Sequence, residues 1–366
     1  MGRNKKIRLA TVFSGIGAIE QALMKKKIDY KIVFACDNGE REISKSYEEI
    51  IEYCKNNNYN HQQVNDYVKQ LYNDTKKANR MKESYFVNYK IDEESWFEDI
   101  RFIDGKKFEN KIDLFVGGSP CQSFSMMGKR AGLEDARGTL FYEYARLVNE
   151  IKPKVFIYEN VPGMINHDNG NTWKVVREIF ESLGYKFYFQ ILNSKDYGIP
   201  QNRQRLFVVG FKNNSIEFNF PKPIQLKKTM FDFLEDKVDS KHYLSKKGFE
   251  FVTSHPGRAK VNEEIIRTQK ANQQFNWNGD FVFEELDKKK HTKEILSRAY
   301  VGDFDWKKGV IRQLSHRECY RLMGFSDTYK IVVPNVWAYR QAGNSIVVDV
   351  LENIVEEIMR IEFNGK

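Results

Sequence analysis

The stretch Ile7-Arg8-Leu9-Ala10-Thr11-Val12-Phe13-Ser14-Gly15-Ile16-Gly17 is an apolar strand running into a glycine turn, and a helix with Ile19, Leu23 and Met24 on one face follows it. The same punctuation recurs downstream. Residues 30–35 predict a second strand ending at Asp37, and residues 113–116 another ending at Gly117-Gly118-Ser119-Pro120-Cys121. A helix over 140–151, a strand over 155–158 ending at Glu159-Asn160, a helix near 173–183 and strands near 187–192 and 206–211 continue the alternation. This pattern predicts an α/β fold on a doubly wound sheet. Gly15, Asp37, Cys121 and Glu159 all fall at carboxyl ends of strands, the edge where open α/β sheets bind ligands.

Outward from that core, the 366 residues suffice for two domains, and 41% hydrophobic with 14% aromatic content excludes a disordered or collagen-like chain. No apolar run approaches the roughly 20 residues a membrane span needs, and residues 1–8 lack the pattern of an export signal. Four cysteines, Cys36, Cys54, Cys121 and Cys319, stand far apart without a CxxC, which argues against a zinc site or a disulfide framework and fits a reducing cytoplasm. Lys and Arg exceed Asp and Glu by 59 to 50, a balance that suits a polyanionic partner but also an ordinary basic protein.

From about 212 to 311 the alternation stops, with Pro221, Pro223, Gly248, Pro256-Gly257 and Gly279 interrupting it, and a separate loop-rich domain is expected there. A helix over 315–323 and a long terminal helix from about 345 to 361 restore regular structure. Residues 53–89 form a polar insertion in which Val64, Tyr67, Val68, Leu71 and Tyr72 keep helical spacing, as an extra surface helix would.

The glycine turn lets a ligand approach the backbone closely, and Asp37 could accept hydrogen bonds from a ribose, so a nucleoside-bearing cofactor is the natural inference. Glu20 stands where a dinucleotide fingerprint wants its third glycine, and a carboxylate there would repel phosphate. That tilts the reading from a nicotinamide cofactor toward a nucleoside without phosphates, such as S-adenosylmethionine. Cys121 sits between Gly-Gly-Ser-Pro and Gln122-Ser123-Phe124-Ser125, a polar loop where a thiol can be exposed and act as a nucleophile. Neither His167 nor His316 sits at a strand end to serve as its base, which weakens a Cys/His hydrolase reading. Partial burial of Glu159 could let it donate a proton. Arg203 and Arg205, two apart and on one side of a strand, could hold a carboxylate and a polar base edge, or pair with surface acids.

Seven blocks then occur in one order: Phe13-Ser14-Gly15-Ile16-Gly17, Gly118-Ser119-Pro120-Cys121-Gln122-Ser123-Phe124-Ser125, Arg137-Gly138-Thr139-Leu140-Phe141, Glu159-Asn160-Val161, Gln201-Asn202-Arg203-Gln204-Arg205, Arg321-Leu322-Met323-Gly324-Phe325 and Gln341-Ala342-Gly343-Asn344-Ser345. Their order and rough spacing resemble the DNA cytosine-C5 methyltransferases, in the prokaryotic restriction-modification style, over residues 9–355 apart from the insertion and the loop-rich domain. The resemblance implies a class I S-adenosylmethionine-dependent methyltransferase sheet with a smaller target-recognition domain. It implies Cys121 as the nucleophile that adds to C6 of cytosine, Glu159 as the acid on N3, Arg205 on the base oxygen and Arg203 as the residue that orders the site. For the cofactor it implies Phe13 on the adenine, Gly15 and Gly17 in the turn, Asp37 on the ribose, Asp99 on the adenine amine, and Leu140, Asn344 and Ser345 completing the pocket.

The target base is expected to leave the duplex, with the loop 123–137 closing over it and Gln122, Ser125, Arg130 and Arg137 meeting the DNA. Residues 1–211 with 334–366 are expected to carry catalysis and cofactor, and 212–333 to read sequence. The partner implied is double-stranded DNA, with no metal and no membrane, in a monomer acting in the cytoplasm at the nucleoid; a cognate restriction endonuclease would be encoded separately. A tRNA methyltransferase of the same family is disfavoured by the lack of its Cys-Phe-Thr tripeptide in the recognition region, and a nicotinamide-dependent oxidoreductase by the missing third glycine. The Asn38-Gly39-Glu40 stretch lacks the bulky residue that often packs on adenine, and the insertion is longer than is common in the family.

Overall fold

A computed structural model describes residues 6–119, 140–272 and 277–363. They divide between two compact units: the residues up to Leu192, Gln204–Pro221 and those from Glu352 onward make one, and Asn193–Arg203 with Lys222–Leu351 make the other. Strands β1 (Ile7–Val12), β2 (Tyr30–Cys36), β3 (Trp96–Phe97), β4 (Leu114–Gly117), β5 (Val155–Asn160) and β6 (Lys186–Asn193) are followed by a short β7 (Gln201–Asn202) and by β8 (Gln204–Phe211). Seven of them form one sheet in the order β3-β2-β1-β4-β5-β8-β6, with β7 outside it. The pairings from β3 through to β5 are parallel, and β8 runs antiparallel to β5. This is the doubly wound sheet that the sequence predicts, with its carboxyl edge at Phe13, Asp37, Gly118 and Glu159.

Helices cover the sheet because their apolar residues recur on one face. α1 (Ala18–Lys25) follows the glycine turn; α2 (Tyr47–Asn56), α3 (His61–Asp74) and α4 (Arg80–Asn88) occupy the connection from β2 to β3; α5 (Leu140–Ile151), α6 (Gly163–Asn166) and α7 (Asn171–Ser182) flank β5. Phe141, Tyr144, Leu147, Val148 and Ile151 of α5 are fully buried against the strands. Phe115 stacks on Tyr144 at 5.1 Å between centroids and Phe156 on Phe180 at 5.2 Å, so aromatic pairs staple helices to one face of β4 and β5. At the opposite, amino edge Arg8 and Lys154 both pair with Asp113 at the start of β4 (2.8 and 3.1 Å). Burial pushes the Asp113 carboxyl up, yet the hydrogen bonds from Arg8 and Lys154 outweigh it and hold its pKa at about 2.

Three expectations need correction. Residues 212–311 are not an irregular stretch. They contain α8 (Lys246–Ser254), β9 (Ala259–Val261), β10 (Ile266–Arg267), β11 (Gly279–Glu285), α9 (Lys293–Arg298), β12 (Gly302–Phe304) and most of β13 (Lys307–Gln313). Four of these strands make a second sheet, β12-β13-β11-β9, with its own core of Leu244, Phe249, Val252, Phe281, Phe283 and Ile311. Short strands broken by Gly and Pro left little periodicity to read. Second, α10 (His316–Arg321) is followed by a helix the sequence did not disclose, α11 (Asn335–Asn344), and the terminal helix α12 (Val348–Ile358) begins only after a break at Ser345. The mixed polarity of Asn335–Asn344 hides its helical face. Third, residues 53–89 are not one surface helix: Val68 and Tyr72 of α3 are buried with Ile50 and Cys54 of α2.

In the second unit Arg312 of β13 is wholly buried. Its Nε meets Glu284 at 2.7 Å, and its two terminal nitrogens meet Glu318 bidentately at 2.8 and 2.9 Å. Removing one member of such a cluster leaves a charge buried and uncompensated. Arg312→Ala is expected to lower stability by about 3–5 kcal/mol in denaturant titration, whereas an unchanged midpoint would show that the cluster contributes nothing.

Candidate active site and cofactor edge

β4 ends in Gly117-Gly118 and β5 in Glu159-Asn160, side by side. A Cβ on Gly118 would lie 2.6 Å from the Glu159 carbonyl oxygen and 3.0 Å from its carboxylate, so the absence of a side chain is what lets the two strand ends touch. The contact is locked by polar groups. The Ser119 and Tyr158 hydroxyls share a hydrogen bond of 2.7 Å, and the Asn160 amide nitrogen donates to the Ser119 carbonyl and to the Tyr158 hydroxyl, each at 2.9 Å. Tyr158, Ser119 and Asn160 were given no role from sequence; the available signals were a polar-tipped tyrosine in an otherwise apolar run and the place of Ser119 and Asn160 inside the ordered blocks. Cys121, Gln122, Ser125, Arg130 and Arg137 lie outside the described residues, but Ser119, two residues before the cysteine, is anchored here.

Glu159 pairs with Arg205. In the β5–β8 register Glu159 opposes Phe207, so Arg205 is its diagonal neighbour on the same face, and its Nε stands 3.0 Å from Glu159 Oε1. Both side chains are largely buried, at 14% and 18% exposure, so the pair is held between protein and solvent rather than lost at the surface. Arg203 does not share that strand face, as the sequence expected. It lies in the break between β7 and β8, in the second unit, where Nη1 donates to the Gln269 carbonyl (2.9 Å) and Nη2 to those of Gly343 (3.0 Å) and Ser345 (2.8 Å). Arg203 thereby fixes the backbone of the Gln341–Ser345 motif at the end of α11. Gln201 works alike, donating to the Leu322 carbonyl (2.8 Å) and accepting from the Gln269 amide (3.0 Å).

The edge of β1 and β2 is built around Asp37. Its two carboxylate oxygens accept the Gly15 and Gly39 amides, each at 2.8 Å, and each keeps a further lone pair. Burial pushes the carboxyl up and the two amides offset only part of this, so with the charges of Glu40 and Glu98 adding to the rise its pKa reaches about 6. Phe13, at positive φ, and Leu140 both pack on the core at this edge, half-buried. Gly17 caps α1 with a left-handed backbone, and a Cβ there would strike Tyr89, whose hydroxyl donates to the Ile16 and Gly17 carbonyls. Glu20 is not an exposed charge in the turn: it is fully buried, accepts the Tyr85 hydroxyl, and burial pushes it up to about 7 against that bond.

Asp99 is also buried. It accepts Tyr72 Oη at 3.0 Å and is chelated by Arg101 through Nε (3.0 Å) and Nη2 (2.6 Å). The Cys36 thiol between these groups is pushed far up, first by burial and then by the charges of Asp99, Asp37 and Glu98. Carboxylates converge where a dinucleotide site would present amides to phosphate, so the donor set fits a nucleoside with a cationic group and not a pyrophosphate. Asn344 and Ser345 belong to the second unit, where Ser345 caps α11. His167 is engaged by Thr172 (2.7 Å) and burial lowers the pKa of His316, so neither is poised as a base. Among the described residues no group of His, Cys, Asp and Glu could hold a metal, and no helix is long and apolar enough to cross a membrane.

The sheet order and its strand-edge site define a class I S-adenosylmethionine-dependent methyltransferase fold. The S. pombe Dnmt2 methyltransferase shares it, with a TM-score of 0.66 at 17% identity, over 97% of this chain and 99% of that one. Residues 67–360 match the C-5 cytosine-specific DNA methylase family, and the chain belongs to it. The Type II methyltransferase M.HhaI of Haemophilus parahaemolyticus is 38% identical over 254 residues, 67% of this chain and 75% of its own. M2.ScrFI of Lactococcus lactis subsp. cremoris is 32% identical over 97% of this chain and 99% of its own. The protein is therefore an enzyme of the DNA cytosine-C5 methyltransferase type, and the oxidoreductase reading is set aside.

Gly118→Ala forces the new methyl into Glu159. A loss of about 1–3 kcal/mol in thermal or chemical unfolding is expected; wild-type stability in this variant would mean that β4 and β5 are not in the contact described.

Proposed function

We propose that this enzyme methylates C5 of a cytosine within a short sequence of double-stranded DNA, with S-adenosylmethionine as cofactor. The observation that carries the reading is the Glu159–Arg205 pair, held at 3.0 Å beside the strand end that leads into Pro120-Cys121. A flipped cytosine offers N3 and O2 on one edge. A carboxyl and a guanidinium side by side match that edge, the acid to N3 and the cation to O2. Cys121 supplies the electron pair that adds to C6, and Glu159 delivers the proton that keeps N3 neutral while C5 becomes nucleophilic. When bound, S-adenosylmethionine supplies the electrophilic methyl group. A base from solvent then takes the C5 proton, its electron pair forms the C5–C6 double bond and expels the Cys121 thiolate, and N3 gives its proton back to Glu159.

Phe13, Gly15, Gly17, Asp37, Asp99, Leu140, Asn344 and Ser345 would hold the cofactor, while Gln122, Ser125, Arg130 and Arg137 would contact DNA. Arg203 would act from a distance by setting the Asn344-Ser345 backbone. Residues 1–211 with 334–366 would form the catalytic domain and 212–333 the recognition domain. Relatives named Type II methyltransferases support a modification enzyme of a restriction-modification system. Action as a cytoplasmic monomer, with any endonuclease encoded separately, is part of the same proposal.

Base-resolution methylation of plasmid DNA from a host without its own cytosine methylation tests this directly. Wild type should mark cytosines in one short motif, Cys121→Ala none, and Glu159→Gln should lose about 10²–10⁴-fold in rate. A Cys121→Ala protein that still methylates would overturn the mechanism, and methylated tRNA with blank DNA would overturn the substrate.

Asp37 gives a second test. Only its carboxylate form accepts both ribose hydroxyls, so S-adenosylmethionine affinity should be flat above about pH 6 and fall up to tenfold per unit below it. Calorimetric titration across pH 5–8 reads this; Asp37→Asn should bind weakly with the inflection gone.

A further inference from the structure

Among the described residues of the first unit, the connection from β2 to β3 is wired to the cofactor edge at its acids. α3 sends Tyr72, 2% exposed, to Asp99, with its hydroxyl donating to Oδ2 at 3.0 Å. The N-cap of α4, Asn79, donates to the Asp37 carbonyl (2.8 Å) and to Glu98 Oε2 (2.9 Å), and packs so close to Gly39 that a Cβ there would overlap it. Arg41 ties the pieces together: it pairs with Glu98, donates to the carbonyls of Tyr72 (3.2 Å) and Lys77 (3.3 Å), and lies 5.0 Å from the Tyr72 ring centre. A decorative surface helix would make none of these bonds.

We propose that the polar insertion is part of the cofactor site, and that Tyr72 is a positioning residue which sets the Asp99 carboxylate for the adenine amine. This rests on the reading that Asp99 meets the cofactor. Arg101, two residues on and more exposed than Asp99, holds the carboxylate from its own turn, with its backbone amide on Oδ1 (3.0 Å) and its guanidinium on both oxygens; Tyr72 adds a hold from a distant segment. Tyr72 approaches from a different helix and places its hydroxyl on Oδ2 by tertiary packing. Its hydrogen bond to an ionised carboxylate is of the charge-assisted kind, stronger than a neutral one and directional. Because Tyr72 acts through Asp99, its removal should weaken cofactor binding and leave the chemical step intact.

The test is a double-mutant cycle on the full-length protein with Tyr72→Phe, Asp99→Asn and the double variant. S-adenosylmethionine and S-adenosylhomocysteine Kd values are read by calorimetry and kcat with duplex DNA at saturating cofactor. Tyr72→Phe keeps the buried ring and its contact with Arg41, so folding is preserved and only the hydroxyl is lost. The expected result is a three- to tenfold rise in Kd, about what one hydrogen bond supplies, with kcat and the KM for DNA unchanged, and a double variant no weaker than Asp99→Asn alone. A wild-type Kd in Tyr72→Phe, with Asp99→Asn impaired, overturns the positioning role and leaves the site reading standing. Additive losses in the double variant also overturn it, since Tyr72 would then act by another route. A wild-type Kd in Asp99→Asn removes the site reading and this inference together.

Discussion

Two strand ends must touch for this site to exist. β4 and β5 run parallel, and at their carboxyl edge Gly118 comes so near Glu159 that no side chain fits between them. The parallel pairing alone would not hold them there, because ladder hydrogen bonds stop where the strands stop. Tyr158, Ser119 and Asn160 take over, each satisfying a neighbour's polar group in a setting where an unmet one is costly. With Glu159 pinned, the antiparallel arrival of β8 brings Arg205 onto the same face, and the acid–guanidinium pair follows from register.

The same reliance on buried polar pairs recurs in both units. Arg41–Glu98 behind the carboxyl end of β2, Arg203 on three backbone carbonyls and Arg312 between Glu284 and Glu318 are all nearly or wholly removed from water. Such clusters add little net stability over apolar packing, but they tolerate few alternative arrangements. Arg203 in this way fixes the end of α11, which carries family motif residues. Positions that a purely apolar core would leave free to slide are thus specified by charge and hydrogen-bond geometry.

Sequence pattern recovered six of the seven strands of the first sheet, because apolar runs ending near Gly15, Asp37, Gly118 and Glu159 carry their own punctuation; it missed β3, whose two residues are too few to show a period. It recovered α5 to the residue for the same reason, since Phe141, Tyr144, Leu147, Val148 and Ile151 mark one helical face. It missed the second sheet, where β9 and β12 have only three residues each, too few for alternation to show. It also assigned Arg203 and Arg205 to one strand face, although the chain passes from one unit to the other between Arg203 and Gln204.

Local sequence by itself determined the first sheet apart from its short edge strand β3, the positions at which chemistry-bearing residues leave it, and, through seven ordered blocks, the family. Those are short-range properties, written in spacing and residue type. Tertiary structure alone decided who meets whom: that Tyr72, 27 residues away, donates to Asp99, that Glu159 selects Arg205 and not Arg203, and that Glu20 lies buried under Tyr85. Partners of that kind depend on register and packing between distant segments, which no window of sequence contains.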